Sequence, residues 1–202
     1  SGAILFEYLP GRTFEELVLR SDREELTAAV KRLQGALLEV WTTTRRADPF
    51  FPRFVSQLRS RMDKVYELHP AFRQASVSFG GLEVVPFDAL LERAIGLDDV
   101  LASPFSVLGH GDLNVDNVIY DHSIDSIRFI DLHRSGPTDY ALDLSVLLVS
   151  HARLQAFDRP VRARIHEVIA RMRDFGIEFA EENGDKSFGV RLAVGLARSF
   201  IT

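Results

Sequence analysis

The segment between Ser106 and Ser145 constrains the fold of this chain more than any other part of the sequence. It contains seven aspartates, no glutamate, and only Arg128 and Arg134 as fixed cations. Three short β-favouring stretches, at 106–108, 118–120 and 127–130, are joined by polar residues. Because a loop between two strands is anchored at both ends, the sequence predicts a positioned loop rich in short carboxylates.

The charge distribution excludes several classes of protein. The 202 residues carry 24 basic and 29 acidic side chains, and outside 106–145 the two kinds balance at 22 each. A mildly acidic chain argues against nucleic acid as a partner. The absence of cysteine excludes a disulfide framework, a thiolate nucleophile and a zinc–thiolate site. No apolar run approaches the roughly 20 residues of a membrane helix, so we expect a cytoplasmic protein without a membrane partner.

Amphipathic helices account for most of the remaining sequence. Thr13 with Glu16, and Ser21 with Glu24, have the spacing of a capping box and predict two helix starts. Apolar residues at helical spacing continue from Leu26 to Trp41. Further helices are predicted from Pro52 to about His69, from Pro86 to Ile95, and from Asp139 to the end, with breaks near 158–160 and 183–184.

The pattern as a whole predicts an α+β fold that is mainly helical, with a small β-hairpin carrying the acidic loop. An apolar stretch from Ala3 to Tyr8, stopped by Pro10 and Gly11, predicts a strand at the N-terminus. A strand that begins the chain has an unpaired edge, so we expect self-association through it.

Three residues of the acidic segment can converge on one site. Asp112 and Asn117 are five positions apart in the loop, and the hairpin that follows returns the chain so that Asp131 comes beside Asn117. Oxygen ligands without cysteine favour a hard cation, and Mg²⁺ binds through one or two carboxylates while substrate phosphates complete its octahedron. A carboxylate that is free of the metal can accept the proton of a substrate hydroxyl, and Asp112 is the natural candidate.

At these residues the sequence resembles the aminoglycoside phosphotransferase and choline kinase-like family, small-molecule relatives of the protein kinases. The resemblance covers Leu5 to about Leu148 and lies in an ordered set of segments. They are the catalytic loop at 110–113 with Asn117, the metal-binding segment at 129–132, the stretch opening the next helix at 136–144, and the interlobe hinge at 5–11.

The resemblance implies a role for each residue of the loop and hairpin. It makes Asp112 the catalytic base and makes Asn117 and Asp131 the ligands of Mg²⁺. Apart from the resemblance, His110 could be a general base, but its setting favours a supporting role in which it holds the loop by hydrogen bonds. Asp143 suits the first turn of the next helix, where a carboxylate meets unpaired N–H groups, so we expect structural support from it as well. The reaction implied is phosphoryl transfer from ATP to the hydroxyl of a small molecule.

The resemblance also implies how nucleotide and lobes are arranged. The backbone of Glu7 and Leu9 would bind adenine, and Ile119 and Ile130 would floor the purine pocket. No Gly-rich phosphate loop and no strand lysine can be located, so we expect the C-terminal lobe of a protein-kinase-like fold without its N-terminal β lobe, folded but inactive alone. The domain boundaries expected are a hinge remnant at 1–11 and a lobe at 12–202, with the site at 106–145 and an acceptor region at about 52–101 and 158–202.

Three functions are compatible with these residues. An ATP-dependent kinase of a small hydroxylated molecule is favoured, and the acidic site points to a cationic acceptor such as an amine or amino sugar. A non-catalytic kinase-like regulatory or interaction module is the alternative, because the N-terminal lobe is missing. A metal-dependent phosphoester hydrolase fits less well, because such sites draw several His and Asp ligands from separate strand ends.

Overall fold

The structure, a computed structural model, describes residues 7–73 and 77–202, and within them the chain forms nine α-helices and seven short strands. The helices are α1 (Phe14–Arg20), α2 (Arg23–Thr43), α3 (Phe54–Arg59), α4 (Met62–Leu68), α5 (Phe87–Ala94), α6 (Leu97–Val100), α7 (Tyr140–Ala152), α8 (Arg159–Glu182) and α9 (Phe188–Ile201). The strands are β1 (Arg12–Thr13), β2 (Val77–Phe79), β3 (Leu82–Val84), β4 (Val107–Gly109), β5 (Val118–Asp121), β6 (Ser126–Phe129) and β7 (Gly136–Thr138). The prediction of a mainly helical α+β fold is confirmed.

The first two helices begin at capped residues, one of them not the residue predicted. The Thr13 hydroxyl accepts the Glu16 N–H at 3.2 Å, as its capping-box spacing predicts. Ser21 does not cap α2; Asp22 does, accepting the Glu25 N–H at 2.8 Å, while Ser21 closes the last turn of α1. The prediction was wrong by one residue. Glu24 and Glu25 are adjacent, so Ser21 and Asp22 each have a glutamate three residues later, and the spacing alone does not choose between them.

The helix predicted from Pro52 to His69 is in fact two, α3 and α4, separated at Ser60 and Arg61. Val55 and Leu58 before the break and Met62 and Val65 after it are all buried. Because the apolar stripe stays in phase across the break, hydrophobic periodicity could not reveal it.

An aromatic cluster at the centre of the molecule joins four helices. The Trp41 ring of α2 lies 5.3 Å from Tyr140 of α7 and 5.1 Å from Phe179 of α8, centroid to centroid. Tyr140 is itself stacked between Phe105 and Phe188, at 5.6 and 5.1 Å. These rings are almost fully buried, so they fix α7 against its neighbours and with it the first turn that faces the acidic loop.

Buried charged residues next to Tyr140 form a hydrogen-bonded network. Arg191 of α9 donates to Asp139 at 2.7 Å and to Asp185 at 2.6 Å, and the Tyr140 hydroxyl donates to Asp185 at 2.6 Å. Burial opposes the charge on Arg191, but its hydrogen bonds to Asp185 and Asp139 raise its pKa. Asp139 also caps α7 through the Ala141 N–H, so the network fixes where that helix begins.

Two antiparallel ladders frame the acidic loop. β5 lies between β1 and β6 in a three-stranded sheet, and β4 pairs separately with β7. The strand predicted at 106–108 is displaced by one residue, to Val107–Gly109, and its partner at Gly136–Thr138 was not predicted as a strand. The loop therefore leaves one ladder and enters another, which anchors both of its ends.

The expectations for the N-terminus fall largely outside the described residues. Residues 1–6 lie outside them, and with these most of the strand predicted at Ala3 to Tyr8 and the edge expected to self-associate. Glu7 and Tyr8 have no regular structure, and the first strand described is Arg12–Thr13. Across residues 7–73 and 77–202, no helix has the length and apolar character required to cross a membrane.

Candidate active site

The acidic loop is held at its start by one carboxylate of α7. The His110 N–H donates to Asp143 Oδ2 at 2.6 Å, and the Gly111 N–H donates to Oδ1 at 2.9 Å. Asp143 is completely enclosed, and this burial raises its pKa although the two backbone bonds favour the charged form. With both oxygens occupied by backbone, Asp143 lies under the loop and positions it.

The His110 ring links the loop to the far strand of the hairpin. Its Nε2 lies 2.8 Å from the Ile130 carbonyl oxygen, and its Nδ1 lies 3.3 Å from the Asp112 backbone nitrogen. A carbonyl can only accept and a backbone amide can only donate, so these contacts select the neutral ring with the proton on Nε2. Both ring nitrogens are therefore engaged in holding the loop, and neither is free to act as a base.

Asp112 projects from the loop with both carboxylate oxygens oriented. Asn114 donates to Oδ1 at 2.7 Å, and Arg134 donates to Oδ2 at 3.1 Å. The close approach of the Arg134 segment requires glycine before the aspartate: Gly111 has φ +80°, and a Cβ there would lie 2.4 Å from the Arg134 carbonyl oxygen. The carboxylate keeps lone pairs beyond these two bonds, so it can still accept a proton.

The hairpin brings Asn117 and Asp131 to the same end. Val118 pairs with Phe129, and the Ile130 N–H donates to the Asn117 carbonyl at 3.0 Å. The Asn117 amide nitrogen donates to the Asp112 carbonyl at 2.9 Å, so the amide oxygen of Asn117 faces away from that carbonyl. Asp131 follows at φ +59°, a left-handed conformation that aspartate tolerates better than most residues.

The donor set at this end fits a hard cation such as Mg²⁺. It offers one amide oxygen and the Asp131 carboxylate, which is half exposed and accepts His133 Nδ1 through Oδ1 at 2.7 Å. Across residues 7–73 and 77–202, no three His, Cys, Asp or Glu side chains gather where they could hold a metal ion. A cation that retains waters and binds substrate phosphates matches so few protein ligands, whereas a two-metal hydrolase needs more.

The residues expected to bind adenine lie in two places. Leu9 lines an apolar cavity of about 470 Å³ with Leu108 and Phe129, whereas Glu7 is exposed. Ile119 points away from the core and contacts Gly11, where a Cβ would meet its Cγ2 at 2.8 Å. Ile130 is half-buried, and its backbone holds both Asn117 and His110.

A second cavity, of about 530 Å³, opens beside Asp112. It is lined by the loop and Arg134, by Gln57 of α3 and Arg61 just before α4, and by Arg198 near the end of α9. Sequence analysis singled out Arg134, as facing either the substrate phosphate or solvent, but missed Arg61 and Arg198, because arginines are common in helices and only the fold brings these together. Arg198 left one signal: it follows Arg191 by seven positions, two helical turns, in a helix that is otherwise mostly apolar.

The chain belongs to the phosphotransferase enzyme family APH, whose sequence model matches residues 1–180. Family membership confirms the resemblance seen in the catalytic loop and hairpin. No curated protein matches the chain at a significant level.

Several solved structures share the fold. The aminoglycoside phosphotransferase APH(3'')-Id from Streptomyces rimosus, in complex with ADP and streptomycin, matches 95% of this chain and 67% of its own with 20% identity and a TM-score of 0.50. A glucosamine kinase, in complex with glucosamine, ADP and inorganic phosphate, matches 91% of this chain and 51% of its own with 20% identity and a TM-score of 0.52. A second crystal form of glucosamine kinase reaches a TM-score of 0.55 at 21% identity. At these identities the likeness establishes a kinase-like fold, and the chain spans between half and two thirds of the length of these proteins.

Proposed function

We propose that this chain is the catalytic lobe of an ATP-dependent phosphotransferase that acts on a hydroxyl of a small molecule. The observation that carries the proposal is the position of Asp112, which lies on the wall of a cavity and is tied through Asn117 to the end of the hairpin. The base and the candidate metal ligands are therefore parts of one hydrogen-bonded unit. The ADP bound in the related structures supports ATP as the phosphoryl donor.

Asp112 acts as the general base of the transfer. The acceptor oxygen attacks the γ-phosphorus, its proton passes to the Asp112 carboxylate, and the bond from the γ-phosphorus to the bridging oxygen of ADP breaks. Asn114 and Arg134 fix the direction of the carboxylate at 2.7 and 3.1 Å. The Arg134 cation also adds positive charge where the transferred group is negative.

Asn117 and Asp131 hold the metal side of the site. Mg²⁺, when bound there, offsets the charge of the phosphates and orients them. Asn117 presents its amide oxygen because its nitrogen is committed to the Asp112 carbonyl, so base and metal ligand keep a fixed separation. At the hinge, the backbone of Glu7 and Leu9 would receive adenine, and Ile119 and Ile130 would lie beneath it.

The test of this function is transfer by the intact protein, because the chain spans only part of its relatives' length. With Mg·ATP and a panel of sugars, amino alcohols and aminoglycosides, we expect ATP consumption that depends on one class of acceptor. Nucleotide binding without transfer to any acceptor would instead support a regulatory module.

The Asp131→Ala variant tests the metal side. We expect it to abolish Mg²⁺-dependent nucleotide binding, measured by calorimetry with and without Mg²⁺, because it removes the carboxylate that follows the second strand of the hairpin. Asp63→Ala, which removes an exposed carboxylate of α4, is the matched control. Binding of Mg·ATP by Asp131→Ala as tight as that of the parent would refute the assignment.

A further inference from the structure

Arg198 is a buried cation without an ionic partner. Its side chain is 7% exposed and lies over the Phe54 ring, with the guanidinium carbon 5.7 Å from the ring centroid. It donates only to neutral groups, Gln57 Oε1 at 3.1 Å and Ser199 Oγ at 2.9 Å. Its Nε is buried and has no hydrogen-bond partner. Within residues 7–73 and 77–202, no carboxylate forms an ion pair with it.

Such an arrangement is unfavourable for the folded chain by itself. Burial lowers the pKa of Arg198 to about 10, the nearby Arg61 cation adds to this effect, and Asp112 opposes it. Arg198 therefore stays protonated at neutral pH while its environment disfavours the charge. Buried charges in proteins are normally paired, and a protein that keeps one unpaired at a cavity has a charge to offer to a ligand.

Other arginines extend the positive wall of the same cavity. Arg61 donates to the Thr202 hydroxyl at 3.1 Å, and Arg153 donates to two backbone carbonyls at 2.9 Å. Neither is paired with a carboxylate in the described part of the chain. The acidic groups that line the cavity are Asp112 and Asp116 of the loop and Glu15 of α1.

From the unpaired Arg198 and the cations beside it we infer that the acceptor carries an anionic group in addition to its hydroxyl, and that Arg198 binds that group. The inference rests on the proposed function, since it names the acceptor class of the same site. A guanidinium suits a carboxylate or a phosphate, both of which accept two parallel hydrogen bonds. An amine on the same molecule is compatible, because Glu15 and Asp116 line the cavity as well.

The experiment compares acceptors with counterparts that carry an added anionic group; glucuronate and glucose 6-phosphate also lack the free 6-hydroxyl of glucose. The pairs are ethanolamine and serine, glucose and glucuronate, and glucose and glucose 6-phosphate; the last two separate carboxylate from phosphate. Binding to the intact protein is measured by calorimetry, and transfer is measured from Mg·ATP. We expect at least one anionic member to bind roughly 10- to 100-fold more tightly than its neutral partner, the range of a charge-assisted contact.

Arg198→Gln should remove that preference, and Arg198→Lys should retain part of it. Arg164→Gln is the matched control, because Arg164 also has a buried Nε without a partner but lies in α8, away from this cavity. If Arg198→Gln does not fold, Arg61→Gln, which changes an exposed residue of the same wall, replaces it.

The possible results separate this inference from the proposed function. Transfer to neutral acceptors without preference for an anion would overturn the inference and leave the phosphotransferase. Anion binding that depends on Arg198 without any transfer would support the anion site and refute the transfer reaction. If no anionic member binds better than its neutral partner, or if the preference survives in the variant, the inference is wrong.

Discussion

Two buried arginines on one face of α9 have opposite surroundings. Arg191 is fully enclosed and lies between the carboxylates of Asp139 and Asp185, at 2.7 and 2.6 Å. Arg198, two turns further along, is almost as buried but meets only neutral groups. The chain neutralises the first charge internally and leaves the second to be neutralised from outside. Pairing within the fold thus distinguishes a charge that organises the structure from one that serves a ligand.

Two aspartates, Asp143 of α7 and Asp112 of the acidic loop, show the same contrast. Both carboxylate oxygens of Asp143 accept hydrogen bonds from the backbone of the loop, and the residue is buried. Asp112 is held by two side chains, lies on a cavity wall and keeps carboxylate lone pairs that these two bonds do not use. Mutations on the two sides should therefore affect different observables.

The largest effect is expected at Asp112 on the cavity wall, from Asp112→Asn in the intact protein. The amide keeps the shape and loses the basicity, so turnover should fall roughly 10²- to 10⁴-fold while nucleotide binding changes little. Turnover is measured under saturating Mg·ATP, and nucleotide binding by calorimetry.

The matched control for this variant is Asp99→Asn. Asp99 is exposed and pairs with Arg53 at 2.6 Å, so the change also removes one carboxylate that faces an arginine. We expect turnover equal to that of the parent. Unchanged turnover in Asp112→Asn would remove Asp112 from the mechanism and erase the contrast with Asp143.

The buried network of Arg191, Asp139 and Asp185 is tested by Arg191→Met. Removing the shared cation leaves Asp139 and Asp185 buried and unpaired, which should lower the free energy of unfolding by about 3 to 5 kcal/mol in urea denaturation. Arg171→Met, which breaks a surface pair with Glu167 at 2.7 Å, should cost less than about 0.5 kcal/mol. Equal losses in the two variants would mean that the buried network does not hold the fold.

The smallest of these effects is expected from a buried histidine, whose contribution to the free energy of unfolding depends on pH. His151 is completely enclosed, its Nδ1 donates to the Leu147 carbonyl at 2.7 Å, and its Nε2 has no partner. Burial lowers its pKa from 6.5 to about 4. The unfolded chain therefore takes up this proton as the pH falls through 6.5, and the folded chain does so only near 4.

Stability attributable to His151 should be complete above pH 6.5 and decline by about 3 kcal/mol as the pH falls to 4. His151→Phe keeps a ring in the cavity and should flatten that part of the curve of unfolding free energy against pH. His166→Phe, at an exposed position of α8, should not. An unaltered acid slope in His151→Phe would contradict this assignment.

The sequence predicted the parts of the molecule in which local pattern and tertiary position agree. The Thr13 cap, the amphipathic α2 and the hairpin at 118–129 follow from spacing alone, because each is stabilised by neighbours in sequence. The family resemblance then placed Asp112 in the loop and Asp131 beyond the hairpin. Their mechanistic roles stay proposals.

What the sequence could not predict depends on contacts between distant segments. The Arg134 pair with Asp112 joins residues 22 positions apart, and Arg198 meets Gln57 across 141 positions. A basic residue on an exposed face and one at a cavity have the same local pattern. The ladder between β4 and β7 was missed for the same reason, since a strand of three residues containing Pro137 has almost no local signature.

The attachment of the loop to Asp143 has a consequence for hydrogen exchange. Loop amides usually exchange freely with solvent, but those of His110 and Gly111 donate into a carboxylate that belongs to the buried first turn of α7. We expect their protons to be released when that turn separates from the loop. These two amides should therefore exchange as slowly as the core of the helix, and we expect the segment carrying Asp112 to open together with α7 as a single cooperative unit.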